Sequence, residues 1–329
     1  MNLLLAYGGT TDWKLPPDVR VTCCGESTAA IAAGLRPDTE VLVTDALPPA
    51  NTSAPGLRWI HLMSAGYNQA IGHPLALRAG MRVSNAAGIC AGPMAEFVVG
   101  QMLRHVKRFD DFARLQSGRT WPGRMAMATP PLRGRRALIV GYGGVGRETA
   151  RLLTAMGVVV DAIQRTTDRQ RYAGYLPQPG MGDAEGLLPA RIFPTERLDE
   201  ALASADFVIL TIPLTPLTRH LLNGPTLAAM KPCAVIINVA RGGLIDATAL
   251  IAALDSGRVG HAYLDVFEPE PLAADSPLWA HPSITVTPHM SGVMPDAAVQ
   301  QEGLLRQNLV RCQAGEPLLN EIAPVRLKG

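Results

Sequence analysis

Three short polar turns contain the side chains best suited to chemistry in this sequence. Arg241, the pair Glu268 and Glu270, and His289 each follow an apolar run that is typical of a buried strand. Ligands of parallel α/β sheets bind at the carboxyl ends of strands, so these side chains are candidates for one site. A guanidinium binds a carboxylate, and an imidazole held by a carboxylate transfers a proton. Together they predict reduction of a small 2-keto acid, provided that a hydride donor lies beside them.

Each of these residues also has a simpler interpretation. Arg241 is alternatively a solvated charge of a turn, and His289 a hydrogen-bonded loop histidine, because both residue types are common at strand ends. Glu268 and Glu270 are equivalent candidates as long as only residue type and position are considered. Asp246 is better explained as the N-cap of a following helix than as a catalytic acid.

A glycine-rich turn supplies the candidate binding site for the hydride donor. Its residues have the G-x-G-x-x-G spacing: Gly141, Tyr142, Gly143, Gly144, Val145 and Gly146. An apolar run, 137–140, precedes the turn, and a helix-compatible stretch, 145–156, follows it, as the motif requires. The glycines permit a tight turn, approach of a pyrophosphate and close helix packing, so a dinucleotide is predicted. A glycine-rich turn without a ligand is the alternative interpretation.

The end of the next strand predicts which nicotinamide cofactor is bound. Gln164, Arg165 and Thr166 stand there, and none of them is the acid that usually binds the adenosine ribose. A guanidinium and a hydroxyl favour a 2′-phosphate, so NADPH is the preferred cofactor and NADH the alternative. Asp161, earlier in the same strand, would bind the ribose instead if the strand were shorter.

Strand-like and helix-like segments alternate along most of the chain. Apolar runs such as 158–163 and 207–210 are separated by helix-compatible stretches. This alternation predicts parallel sheets, and a length of 329 residues favours two domains. Residues 94–115 have the apolar spacing of one long helix. Residues 171–194 are rich in Pro and Gly and predict a long loop, whose role the sequence does not indicate.

Composition disfavours several classes of partner. The 30 basic and 28 acidic residues give a net charge of +2, which is unlike nucleic-acid binders and binders of anionic membranes. No apolar stretch reaches the roughly eighteen residues of a membrane helix, and the short amino-terminal apolar run is not typical of a secretory signal. Five cysteines without a CxxC pair favour a reducing, cytoplasmic location and a site without a metal ion.

In this order, the motifs resemble those of the D-isomer-specific 2-hydroxyacid dehydrogenases, most closely the glyoxylate/hydroxypyruvate reductase branch. The similarity extends from about Leu57 to Ala314. Besides the turns already described, it includes four further motifs: Leu132–Gly134, Thr211–Thr215, Thr218–His220 and Met230–Pro232. The implied fold is α/β with two doubly wound parallel-sheet domains. A Rossmann cofactor domain, 101–292, would be inserted into a flavodoxin-like substrate domain, 1–100 plus 293–329.

The resemblance also implies a role for each matched residue. Arg241 would bind the substrate carboxylate, Glu270 would support the imidazole, and His289 would act as acid and base. The loop that holds the substrate carboxylate from the other domain corresponds to four residues: Met63, Ser64, Ala65 and Gly66. Besides the glycine-rich turn and 164–166, the cofactor would contact a further set: Ile212, Pro213, Thr218, Val239, Ala240, Arg241, Asp265, His289 and Gly292. Within this set, Asp265 would bind the nicotinamide amide.

The family further implies an active site in the cleft between the domains and a homodimer. The dimer contact would include 97–136, with Trp121 near the partner's active site. Two alternatives are an NADH-preferring dehydrogenase for a bulkier keto acid and a non-enzymatic NAD(P)H-sensing regulator on the same fold. The presence of the Arg, Glu and His residues disfavours the regulator. Cys233 stands where the family usually has Gly, a change interpreted as tolerated packing.

Overall fold

The chain divides into two units in the computed structural model, which describes residues 1–7 and 13–328. Unit 1 is formed by three segments: Met1–Ile89, Ala173–Pro179 and Met294–Gly329. Unit 2 is formed by two segments: Cys90–Tyr172 and Gly180–Val293. The expected substrate-domain range includes residues 8–12 and 329, which lie outside the described residues.

Unit 1 contains a sheet of five parallel strands within its described residues. Its elements are, in chain order, β1 (Asn2–Ala6), β2 (Arg20–Cys24), α1 (Thr28–Gly34), β3 (Val41–Thr44), β4 (Trp59–Leu62), α2 (Pro74–Leu77), β5 (Arg82–Asn85), and, after unit 2, α9 (Ala297–Gln313) and α10 (Pro324–Leu327). The strand order is β2-β1-β3-β4-β5, the flavodoxin-like order of a doubly wound sheet. Every residue of β3 and β4 is buried, because apolar side chains cover both faces of the sheet.

Unit 2 contains a sheet of seven parallel strands, counted over the residues that the structure describes. Its elements are α3 (Ala91–Lys107), α4 (Phe109–Ser117), β6 (Arg136–Val140), α5 (Gly144–Ala155), β7 (Val159–Ile163), β8 (Arg191–Phe193), α6 (Leu198–Ser204), β9 (Phe207–Leu210), α7 (Gly224–Ala229), β10 (Ala234–Asn238), α8 (Ala247–Asp255), β11 (Val259–Leu264) and β12 (Ile284–Val286).

The strand order in unit 2 is β12-β11-β10-β9-β6-β7-β8. The chain runs outward from β6 to β8, crosses back to β9 and continues outward in the other direction. This is the Rossmann order with one added strand, and its reversal between β6 and β9 is where such sheets bind dinucleotides. The predicted fold class, two doubly wound parallel-sheet domains, is confirmed.

One division between the units and one helix differ from those expected from the sequence. The first division between the units lies before α3 rather than at residue 100, because the whole helix belongs to unit 2 and packs on α5. The single helix predicted for 94–115 is wrong: it is broken at Arg108, which has a left-handed φ of 56° and separates α3 from α4. Apolar spacing does not reveal a break of one residue, because the side chains on either side keep nearly the same period.

The segment 171–194, expected to be a long loop, is partly ordered by pairing. Its last residues form β8, which extends the sheet beside β7. Ala173–Pro179 belongs to unit 1, whereas the residues on either side belong to unit 2.

Cys233 has an unusual backbone conformation. Its φ is 59°, in the left-handed region that glycine adopts most readily, and its side chain is exposed. The cost of a side chain at this position therefore lies in the backbone.

Neither a membrane helix nor a metal cluster is found among the described residues. No described helix is both long and apolar enough to cross a membrane. The described part of the chain also lacks any group of three or more His, Cys, Asp or Glu side chains that is positioned to hold a metal ion.

Candidate active site

Apart from Thr218, the cofactor and catalytic residues predicted in unit 2 lie in turns that directly follow six neighbouring strands. The turn after β7 is 164–166, the turn after β6 is 141–146 and the turn after β9 is 211–213. The turns after β10, β11 and β12 are 239–243, 265–270 and 287–292. Because the six strands are parallel, all the turns lie at one edge of the sheet. This edge, defined by the six turns, is called the carboxyl edge below.

The glycine-rich turn joins β6 to α5 with very close backbone packing. A Cβ on Gly146 would lie 2.3 Å from the carbonyl oxygen of Gly141, so only glycine fits there without displacing backbone. The Thr211 hydroxyl donates to the same carbonyl over 2.6 Å, which ties the turn to the end of β9. The turn is therefore held from both sides, and α5 begins directly at the carboxyl edge.

An anionic group fits at the beginning of α5. Gly143, the N-cap residue, is exposed, and a Cβ built on it would meet nothing within 4 Å. The N-terminus of the 12-residue helix carries a partial positive charge and points backbone N–H groups outward. The turn therefore offers what the pyrophosphate of a dinucleotide requires: open space, N–H donors and positive potential.

Two alanine substitutions in this turn separate its structural role from its binding role. Gly146→Ala is expected to lower the unfolding free energy by about 1–3 kcal/mol, because its methyl group meets backbone. Gly143→Ala is expected to leave Tm unchanged but to raise the Kd for NADPH about tenfold, since its methyl enters the space assigned to the pyrophosphate. Thermal melts and nucleotide titrations measure both. Wild-type affinity in Gly143→Ala would contradict this placement of the pyrophosphate.

The residues after β7 offer a positive charge and no carboxylate. Arg165 and Thr166 are exposed, and Arg165 makes no hydrogen bond or ion pair with any described residue. The Gln164 side-chain amide donates to the carbonyl of Asp168 over 2.9 Å. Arg169 instead donates to loop carbonyls, so Arg165 is the cation available at this end of the carboxyl edge.

Asp161 is not available as a ribose ligand. Its carboxylate is 1% exposed and accepts from Arg136 over 2.8 Å and from Arg191 over 2.7 Å. Both arginines belong to unit 2, so the carboxylate is used within the sheet. The alternative that placed Asp161 against the ribose is therefore disfavoured.

The residues expected to line the cofactor differ in their exposure and in the hydrogen bonds of their side chains. Val239 and Ala240 are buried, whereas Ile212 is partly exposed and Pro213 is exposed at the carboxyl edge. The Thr218 hydroxyl donates to the carbonyl of Pro213 over 2.9 Å and so braces the turn after β9.

His289 and Glu270 are brought together by the turns that follow β12 and β11. The Nδ1 atom of His289 lies 2.8 Å from Oε2 of Glu270, and Oε1 of Glu270 accepts the backbone N–H of Phe267 over 2.8 Å. Glu268 pairs instead with Arg219 over 2.6 Å. The imidazole is half exposed, and the bond at Nδ1 leaves Nε2 as its outward-facing nitrogen. This arrangement orients the ring at the carboxyl edge.

Asp265 holds the backbone of the His289 turn. Its fully buried carboxylate accepts from the Thr287 hydroxyl and from the backbone N–H groups of Met290 and Ser291, over 2.6, 2.9 and 2.8 Å. These bonds explain why His289 keeps a left-handed φ of 56°. Gly292 follows in the same turn. The predicted contact of Asp265 with the nicotinamide stays a prediction.

Arg241 lies in the turn that packs against the Glu270 turn. A Cβ on Gly242 would lie 2.1 Å from the backbone carbonyl carbon of Phe267, so the two turns are in direct contact. The partly exposed Arg241 side chain donates to the carbonyl of Ala240 over 2.6 Å. Asn238, at the end of β10, donates to the carbonyl of Arg241 over 2.9 Å and fixes the turn.

The loop predicted to hold the substrate carboxylate lies in unit 1, directly after β4. It is braced by side-chain amides: Gln301 donates to the carbonyl of Met63, and Asn85 donates to the carbonyl of Ala65 over 2.6 Å. Ser64 accepts the backbone N–H of Ala86 at its carbonyl, and its hydroxyl donates to the carbonyl of Gly66 over 3.0 Å. The loop is thus ordered within unit 1.

Sequence reasoning missed three residues that shape the glycine-rich turn. The Thr211 hydroxyl ties this turn to the end of β9, a role that its motif does not indicate. Arg147, next to the third glycine, is 4% exposed and donates to the carbonyl of Asp183, in the segment predicted as a loop, and to that of Gln170, just before it. Tyr172, in that segment, stacks on Arg147. A charged residue on the buried face of a helix was the signal available for Arg147.

Comparisons with known proteins agree with this architecture. The family model described as "D-isomer specific 2-hydroxyacid dehydrogenase, NAD binding domain" matches residues 99–291. Glyoxylate reductase of Thermofilum pendens is 32% identical over 267 residues, which are 80% of this chain and 74% of that protein. Glyoxylate reductase of Pyrococcus furiosus is 32% identical over 288 residues, 84% of this chain and 80% of that protein.

A solved structure is similar along the whole chain. The D-isomer specific 2-hydroxyacid dehydrogenase of Xanthobacter autotrophicus Py2, in complex with NADPH and MES, superposes with a TM-score of 0.80 at 29% identity. The match covers 99% of each chain. Because the family model covers more than half of the sequence, the chain belongs to the D-isomer-specific 2-hydroxyacid dehydrogenases, which are NAD(P)-dependent oxidoreductases.

Proposed function

We propose that the protein reduces a small 2-keto acid of the glyoxylate or hydroxypyruvate type to the D-2-hydroxy acid, with NADPH as the preferred cofactor. The observation that carries the proposal is the His289–Glu270 pair at the same carboxyl edge as the glycine-rich turn and Arg241. A proton donor, a cation and a dinucleotide-binding turn are the groups that this reduction needs.

In the proposed reaction, His289 donates the proton from Nε2 to the substrate oxygen. Glu270 accepts a hydrogen bond from the Nδ1–H group of the ring, which fixes the ring and orients Nε2. Bound NADPH supplies the hydride. The products are the D-2-hydroxy acid and NADP⁺, with one proton taken up through His289.

Arg241 and the loop of unit 1 bind the substrate carboxylate in this proposal. The planar guanidinium of Arg241 binds a carboxylate through paired charge-assisted hydrogen bonds and orients the carbonyl next to it. Met63, Ser64, Ala65 and Gly66 contribute through the backbone of their braced loop. Asp265, Ile212, Pro213, Val239, Ala240 and Gly292 line the nicotinamide end.

The cofactor preference rests on Arg165 and is tested by Arg165→Ala. Loss of its charge-assisted bonds to a 2′-phosphate is expected to raise the Kd for NADPH about 10- to 100-fold, with the Kd for NADH unchanged. Fluorescence titration with both nucleotides measures the ratio. Arg197→Ala is a matched control, because Arg197 is an exposed cation of the same unit that pairs with Glu200 over 2.6 Å, away from the glycine-rich turn. An equal loss for both nucleotides would contradict the assignment.

The substrate class is tested by a panel of glyoxylate, hydroxypyruvate, pyruvate and phenylpyruvate, each with NADPH and with NADH. The proposal expects the highest kcat/KM for the two smaller polar acids with NADPH, as the names of the glyoxylate reductase relatives also suggest. Preference for phenylpyruvate with NADH would favour the alternative dehydrogenase. Nucleotide binding without turnover of any acid would favour the NAD(P)H-sensing regulator.

A homodimer in the cytoplasm is also part of the proposal. Large apolar side chains are exposed on the segment 97–136, among them Phe109, Trp121 and Met125, as is typical of a surface that another chain covers. Trp121, 97% exposed, would then reach the partner's active site. The absence of disulfide bonds among the described residues agrees with a reducing compartment. Sedimentation equilibrium measures the mass, and a monomer at micromolar concentration would contradict the dimer.

A further inference from the structure

Arg219 binds a residue of the turn that follows β11. Two nitrogens of its guanidinium donate to the two carboxylate oxygens of Glu268, over 2.6 and 2.9 Å. Paired bonds of this kind fix the direction of the carboxylate as well as its distance. The hydrogen bonds and the positive charge of Arg219 lower the pKa of Glu268 below its ordinary value, so the carboxylate is ionised at neutral pH. The ion pair therefore ties the segment after β9 to the turn after β11.

The Glu268 carboxylate also lies against the turn that follows β10. A Cβ built on Gly243 would lie 2.6 Å from Oε2 of Glu268, so the carboxylate occupies space that glycine leaves open. The carbonyl of Gly243 accepts the backbone N–H of His220, the residue after Arg219, over 2.8 Å. Two consecutive residues therefore hold the turns after β10 and β11 against each other.

The turn that carries Glu270 depends on side chains for its position. Residues 266–272 make no backbone–backbone hydrogen bond in the described part of the chain. Glu268 and Glu270 are both exposed, so burial does not fix them. Oε1 of Glu270 accepts the backbone N–H of Phe267 over 2.8 Å. Glu268, directly after Phe267, is held by Arg219, so the ion pair is one of the few contacts that fix this turn.

We propose that Arg219 is a positioning residue for the reduction and acts on His289 through the turn that carries Glu270. Its ion pair with Glu268 holds that turn, and Oε2 of Glu270 lies 2.8 Å from Nδ1 of His289. A shift of the turn would therefore change the direction in which Nε2 of the imidazole points. This inference rests on the proposed function, because it takes His289 to be the proton donor.

The ion pair is expected to matter more for catalysis than for folding. Arg219 and Glu268 are each nearly half exposed, and exposed pairs contribute little to stability. By contrast, a displacement of about 1 Å between reacting groups lowers a rate by up to about 100-fold. The turn of Arg241 keeps its separate bond from Asn238, so binding of the substrate carboxylate is expected to change little. Loss of the pair should therefore lower kcat rather than raise KM.

Arg219→Gln tests this inference in the full chain with glyoxylate and NADPH. We expect kcat to fall about tenfold, with KM for glyoxylate, Kd for NADPH and Tm close to the wild-type values. Arg219→Lys keeps the charge and a donor, so it is expected to recover part of the activity. Glu268→Gln should lose as much as Arg219→Gln, and the double variant no more than either, because each change removes the same pair. Steady-state kinetics, nucleotide titration and thermal melts measure these values.

Arg197→Gln is the matched control. Arg197 forms an equally exposed pair in the same unit, with two hydrogen bonds to Glu200 over 2.7 and 2.6 Å, and its loss is expected to leave kcat unchanged. An unchanged kcat in Arg219→Gln, or additive losses in the double variant, would overturn the inference. A large fall in Tm would also overturn it, by indicating a structural role. If the wild-type chain reduced no 2-keto acid, the proposed function itself would fail.

Discussion

Replacing His289 by glutamine is expected to lower kcat about 10³- to 10⁴-fold while leaving the Kd for NADPH within a factor of about two of the wild-type value. Glutamine keeps a polar side chain of similar reach, but it cannot carry a proton that it gives up near neutral pH. The left-handed backbone at this position is held by the bonds of Asp265 to the turn, so the substitution leaves the turn in place. Steady-state kinetics with glyoxylate and a separate nucleotide titration measure the two effects.

His281→Gln provides the control for this experiment. His281 lies just before β12, and its ring contacts Asp255 and the backbone of Ser283 rather than the carboxyl edge. Its substitution is expected to leave kcat unchanged. Glu270→Gln is expected to give an intermediate loss, since the amide still contacts Nδ1 but replaces a charged hydrogen-bond acceptor by a neutral one. Full activity in His289→Gln would remove this residue from the mechanism.

Replacing Arg241 by glutamine is expected to reduce kcat/KM about 10²- to 10³-fold. The variant loses two charge-assisted hydrogen bonds to the substrate carboxylate, each worth about 1.5–3 kcal/mol, and part of that energy orients the carbonyl. A rise in KM with an unchanged kcat would show that the bonds are equally strong in the ground state and the transition state. A fall in kcat as well would show that orientation is also lost.

Arg241→Lys separates the contribution of the positive charge from that of the planar pair of donors. Lysine keeps the charge but lacks the planar pair of donors, so an activity between those of the wild type and Arg241→Gln is expected. Arg306→Gln, at an exposed cation of unit 1 that lies 3.7 Å from Glu302, controls for the change in net charge. Equal activity of Arg241→Gln and the wild type would show that the substrate carboxylate binds elsewhere.

Much of the architecture of unit 2 could be predicted from short stretches of sequence. The run Ala137–Val140, the glycine spacing and the helix-compatible stretch after it correspond to β6, the glycine-rich turn and α5. The apolar runs before Arg241 and His289 likewise became β10 and β12. Such features can be predicted from the sequence because strand burial and tight turns each depend on a few consecutive residues.

The ion-pair and hydrogen-bond partners of charged side chains could not be predicted from short stretches of sequence. Residue type did not distinguish Glu268 from Glu270, but the fold pairs the first with Arg219 and the second with His289. From the sequence alone, Asp161 is an alternative ligand of the ribose, whereas in the structure its carboxylate pairs with Arg136 and Arg191. The role of the segment around Tyr172 was equally hidden, because it depends on Arg147 of a different element.

By itself, the sequence determined the alternation of strands and helices, the position of the dinucleotide turn and the family, because these follow from local spacing and residue order. Only the tertiary structure decided where the helix breaks at Arg108, which acid meets the imidazole and which side chains bind Arg147. These outcomes depend on contacts between residues that are distant in the chain or on a single backbone dihedral. Neither leaves a periodic or compositional signal in the sequence.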